Sequence, residues 1–143
     1  MVDILARNLR IRSVTRAWLA GVVILLAIPL TVATRLTPKA DGLGTHQQLG
    51  LPPCTVRLLW GVRCPACGMT TSWSHFVRGE LASGLRASVA GTLLAVSACV
   101  GLTVAMIGVV SGRMPGRRWA VLAVWGMTGI LLTAVAEWLV RIT

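Results

Sequence analysis

Apolar residues in this chain of 143 gather into three long runs, separated by polar stretches that carry five of the six prolines and most turn-forming glycines. The first run, Ala17 to Thr34, has 18 residues and no charge. The second, Ala87 to Val110, has 24 and is also uncharged, and the third, Trp119 to Val140, has 22 with one acid, Glu137, near its end. An α-helix rises about 1.5 Å per residue, so about 20 residues cross a hydrocarbon core of about 30 Å. The second and third runs meet that length and the first lies at its short end. Pro29, inside the first run, is tolerated better in lipid than in water. The pattern predicts an all-α polytopic membrane protein with three transmembrane helices, at 17–34, 87–110 and 119–140. The first run is long for the apolar region of a cleaved secretory signal, and Val32-Ala33-Thr34 is a poor small-x-small cleavage site, so an uncleaved span is expected.

The polar stretches have their own patterns. In residues 1–16, Ile4, Leu5, Leu9 and Ile11 alternate loosely with Arg7, Arg10 and Arg12, which suits either a basic surface helix or a flexible basic tail. Residues 35–86 form the long connection. Pro38, Gly42 and Gly44 read as loop, and Pro52-Pro53 sets up a short helical turn over Cys54 to Trp60 that Gly61 ends. Met69 to Val77 has helical spacing, with Met69, Trp73, Phe76 and Val77 on one face and Thr71, Ser72 and Ser74 largely elsewhere. That arrangement predicts a short interfacial helix with its aromatic face at the lipid. Gly79 breaks it, and Glu80 begins a helix expected to run on into the second span. Residues 111–118 form a basic turn and 141–143 a tail.

Composition supports the membrane reading. The chain is 55% hydrophobic and 13% charged, too few charges to cover a soluble domain of this size. The net charge of +10 does not imply nucleic acid, because the arginines flank the spans, where anionic membrane lipids and topology signals account for them. No stretch interleaves basic and aromatic residues as a nucleic-acid groove does. Arg7, Arg10, Arg12 and Arg16 precede the first span, and Arg113, Arg117 and Arg118 crowd the turn between the second and third. The positive-inside rule places both on the cytoplasmic side, with residues 35–86 outside. Trp18, Trp60, Trp73, Trp119 and Trp138 read as interfacial anchors. Glu137 and Arg141, four residues apart at the outer end of the third run, read as a snorkelling ion pair. Ala87, Gly91, Ala95, Cys99 and Thr103 form a small-residue stripe, suited to packing within the chain or to a homo-oligomer seam.

Chemistry concentrates in the long connection, at Cys54, Cys64 and Cys67. Cys64-Pro65-Ala66-Cys67-Gly68 places two thiols two residues apart. In thioredoxin-type sites the first sulfur sits at a helix N-terminus; in metal knuckles a glycine after the second cysteine permits a left-handed turn. The trailing Gly68 and stiffening Pro65 fit the knuckle better. Structural zinc takes four ligands, which makes Cys54 the third and His46 the expected fourth, with His75 its rival. The competing reading is a disulfide or a thiol–disulfide relay, favoured if the connection faces an oxidising compartment. Covalent haem is disfavoured, because its motif needs histidine where Gly68 stands.

Cys54, nine intervening residues, then Cys64-Pro65-x-Cys67-Gly68-Met69-Thr70, with Arg78-Gly79-Glu80-Leu81 and Leu85-Arg86 beyond, resembles a family of small bacterial membrane proteins known as domain of unknown function 2752. The resemblance spans roughly residues 43–96. It implies a bacterial inner-membrane protein and groups the three cysteines as one constellation. Many relatives carry arginine after the motif threonine, where this chain has Thr71. Three functions follow as expectations. The first is a non-enzymatic protein whose zinc-stabilised loop docks a membrane or exported protein partner. The second is a thiol–disulfide redox protein using Cys64 and Cys67. The third and weakest is a transport component, since three spans without a central charge make a poor pore.

Overall fold

The computed structural model describes residues 2–39, 42–62 and 64–142, and their side chains except those of residues 2–11 and 57. The expected two-faced sorting of Ile4, Leu5, Arg7, Leu9, Arg10 and Ile11 therefore lies outside the described side chains. Among the described residues all regular secondary structure is helical, with no strand. Helix α1 spans Val2–Arg35, α2 Thr55–Trp60, α3 Met69–Phe76, α4 Leu81–Ala87, α5 Val89–Ser111 and α6 Arg117–Ile142, with a 3-10 turn at Thr45–Leu49. Among the described residues, three helical segments, Arg12–Arg35, Val89–Ser111 and Arg117–Ile142, are long and apolar enough to cross a membrane.

Helices α1 and α5 run antiparallel and meet through leucine against glycine. A Cβ on Gly108 would stand 2.7 Å from Leu19 Cδ1, and one on Gly101 would stand 3.2 Å from Leu26 Cδ1. Both pairs are spaced by seven residues, two helical turns, which keeps the seam on one face of each helix. The buried small residues of α5 include Gly91, Ala95, Ala98, Ala105 and Gly108, whereas Thr103 is exposed. The expected four-residue stripe is thus corrected to a seam of mean step near 3.5. A four-residue row drifts around a 3.6-residue helix, and Thr103 lies where it has left the contact face. Gly91 and Ala95 belong to both patterns. At the far end of α5, Arg16 donates from Nη2 to the Val110 carbonyl at 3.3 Å, a cation on a helix C-terminus. The N-terminal basic residues thus share an end of the bundle with Arg113, Arg117 and Arg118.

Two further expectations change. The helix begun near Glu80 does not run on: Ser88 is extended (φ −163°, ψ 122°), and its Oγ accepts from the Gly91 amide at 3.0 Å, capping α5 afresh. In α3 the polar face is the one that goes inside. Thr71, Ser72 and Ser74 are buried, while Trp73 and Phe76 are half-buried. Small hydroxyl side chains fit this close packing because each finds an oxygen. Ser72 Oγ donates to the Met69 carbonyl at 2.8 Å, Ser74 Oγ to the Thr71 carbonyl at 2.9 Å, and Thr71 Oγ1 shares a hydrogen bond with Thr45 Oγ1 at 2.8 Å. Gly91 on α5 leaves the space that Ser72 Oγ and Met69 occupy.

Candidate metal centre

Backbone geometry around the motif follows its glycine and proline. Cys67 N donates to the Cys64 carbonyl at 3.0 Å and Met69 N to the Ala66 carbonyl at 3.2 Å, closing two tight turns ahead of α3. Gly68 carries the second turn at φ +96°, and a Cβ there would lie 2.5 Å from the Ala87 carbonyl oxygen. Both the left-handed conformation and the close approach to the end of α4 exclude a side chain at this position. Cys54 arrives from the other side, where its carbonyl accepts from Leu58 N at 3.1 Å and starts α2.

The outcome is a triad. The sulfurs of Cys54, Cys64 and Cys67 all lie within 4.8 Å of one another, with Cys64 Sγ 3.2 Å from Cys67 Sγ, and all three residues are half-buried. They line a cavity of about 540 Å³ shared with His46, Gln47 and Thr71. Burial pushes the Cys64 thiol up to about 12, helped by hydrogen bonding to Cys67 and Cys54. In this crowded setting the Cys64 thiol holds its proton, since a thiolate there lacks both hydration and a compensating charge. A soft cation supplies that charge, and a set of three sulfurs suits zinc or another thiophilic ion. The donors fit a metal in number, softness and spacing.

Each expected ligand has a definite place. The three cysteines converge. His46, in the 3-10 turn, lines the same cavity but is not part of the group within 4.8 Å. His75 is not part of that group either; its Nδ1 meets Glu80 Oε2 at 2.6 Å, across the Gly79 turn. Cys99 lies in α5, apart from the triad.

Sequence reasoning missed the support behind the triad. Arg141 of α6 donates from Nη1 to the Cys67 carbonyl at 3.4 Å, and from Nη2 to the Ala87 carbonyl at 3.0 Å and to Glu137 Oε1 at 3.1 Å. Glu137 in turn accepts from Val89 N at 2.9 Å and from Ala90 N and Ser88 Oγ, each at 3.2 Å. An acid at the positive end of α5 and an arginine over the Ala87 carbonyl at the end of α4 are both electrostatically favourable. The expected ion pair is present, but it is committed to backbone rather than reaching for head groups. The sequence signal was Ser88 itself, a good helix-starting residue at the edge of an apolar run.

No curated protein and no solved structure matches the chain. Residues 54–102, from the first cysteine of the triad to the middle of α5, match the family model of a protein of unknown function, DUF2752, the family its cysteine motif resembles.

Proposed function

We propose that Cys54, Cys64 and Cys67 hold a zinc-class ion that folds the 35–86 connection into a docking site for a membrane or exported protein, on the outer face of a bacterial inner membrane. The convergence of three sulfurs within 4.8 Å carries this reading. The ion ties together a long connection whose fully buried side chains are small hydroxyls, as structural zinc does in small domains. Leu58, Leu59 and Trp60 of α2, beside Cys54, are exposed, which supports an apolar contact next to the site. The outward orientation rests on the arginines at the opposite end of the bundle. Three protein sulfurs leave one position of a tetrahedral ion to be filled, by His46 or by a donor from outside.

Metal analysis of protein purified gently without chelator tests the proposal. About one zinc per chain is expected, together with faster proteolysis of residues 35–86 after chelation. Absence of any bound thiophilic metal would sink it.

A thiol–disulfide relay is the second reading, favoured by the 3.2 Å approach of Cys64 and Cys67 sulfurs. Two observations weigh against it. Cys64 stands five residues ahead of the first residue of α3, away from the helix end that activates redox cysteines, and its thiol is pushed up rather than down.

A further inference from the structure

We infer that the fourth coordination position of an ion on Cys54, Cys64 and Cys67 is open to the 540 Å³ cavity and takes a low-molecular-weight thiol, bound as its thiolate, rather than His46. This inference rests on the metal reading above and deepens it.

Tetrahedral ions with four protein ligands are enclosed, whereas those with three face a cavity and exchange the fourth. Here the three sulfurs form a close group, and His46 stands on the cavity wall outside it. The cavity falls within the size range of small-ligand sites, about 300–1,000 Å³. Its wall combines the apolar Leu43, Pro53 and Leu58 with the polar Gln47, Thr70 and Thr71. Such a lining accommodates a short alkyl thiol with a polar end. Softness selects the donor: an ion already on three thiolates is matched to a fourth sulfur. A divalent ion with four thiolates carries two negative charges, and cations stand close by. Arg141 lies on the Cys67 carbonyl, and Lys39 Nζ donates to Gln47 Oε1 at 3.2 Å on the cavity wall. The step is a ligand exchange. The thiol releases its proton to solvent, its sulfur bonds to the ion, a bound water leaves, and no electron changes hands.

The test uses the full chain in detergent, loaded anaerobically with cobalt(II) in a thiol-free reductant. Cobalt reports its sulfur ligands through charge-transfer absorption. On titration with 2-mercaptoethanol, that absorption is expected to grow by about one third, as three cobalt–sulfur bonds become four. Cobalt should stay with the protein, and His46→Ala should show the parent's spectrum before thiol is added. Three results overturn the inference while leaving the metal reading intact. They are no growth with thiol, a spectrum that His46→Ala alters before thiol is added, and cobalt stripped into the filtrate by the thiol. Failure to bind cobalt, zinc or cadmium at all overturns both.

Discussion

Arg141, two residues from the C-terminus, donates a hydrogen bond to the carbonyl of Cys67, 74 residues earlier in the chain. The third span therefore supports the cysteine turn directly. The same guanidinium holds Ala87 and Glu137, and Glu137 caps α5, so one side-chain pair joins α6, the start of α5 and the cysteine turn.

Replacing Arg141 with methionine keeps much of the apolar length and removes every one of these donors. The expected loss is about 1–3 kcal/mol, because Glu137 and two carbonyls lose a charged partner in a partly dry setting. Arg118→Met, an exposed control, should stay within about 0.5 kcal/mol. Thermal unfolding in detergent measures both, and a cycle with Glu137→Gln should show coupling of about 0.5–3 kcal/mol.

Gly68→Ala should cost about 2 kcal/mol or more and abolish metal retention. The substitution combines a left-handed backbone with a Cβ 2.5 Å from the Ala87 oxygen. Gly126→Ala, where an added Cβ meets nothing within 4 Å, should be neutral or slightly stabilising. Retained metal in Gly68→Ala, measured by metal-to-protein ratio, would disprove the role given to this turn.

The buried threonine pair offers a separate test. Thr71→Val or Thr45→Val alone should destabilise by about 1–2 kcal/mol, since each leaves a buried hydroxyl without its 2.8 Å partner. The double variant should cost less than the sum of the two, read from unfolding midpoints.

In metal-free protein the Cys64 thiol ionises later in the folded state than in the unfolded chain, about 12 against 9.0. Its contribution to stability is therefore present below about pH 9 and lost as pH rises toward 12. Alkylation of Cys64 in metal-free protein should accordingly be slow at neutral pH and accelerate only in strong alkali. Metal affinity runs the other way with acid, falling as pH drops, because protons compete for the same sulfurs.

The three spans were legible because a bilayer imposes a length on apolar runs, and the triad because two residues between cysteines, with a following glycine, nearly dictate a turn. The convergence of Cys54 was legible only from spacing and the family motif. What remained hidden depended on neighbours distant in sequence. Thr71, Ser72 and Ser74 look like a solvent face until Thr45 and Gly91 are brought against them. Ser88 looks like the middle of a helix until Glu137 arrives from 49 residues away to take its hydroxyl. Glu137 and Arg141 fit a head-group ion pair equally well until α5 and the cysteine turn present backbone to them.

Helix α6 is unevenly held. Ile130 and Ala134 are buried beside Ala90, with Met69 and Leu94 packed around them, whereas residues 117–129 are all exposed. The helix is gripped beside the cysteine turn and stands away from its neighbours toward the basic end. From Ile130 to Arg117 the unsupported arm is about 20 Å long, so a tilt of about 10° at the grip would carry its far end about 3 Å. With its pivot at Ile130 and Ala134 and Arg141 on the cysteine turn at one end, the third span has the form of a lever whose longer arm ends on the basic side.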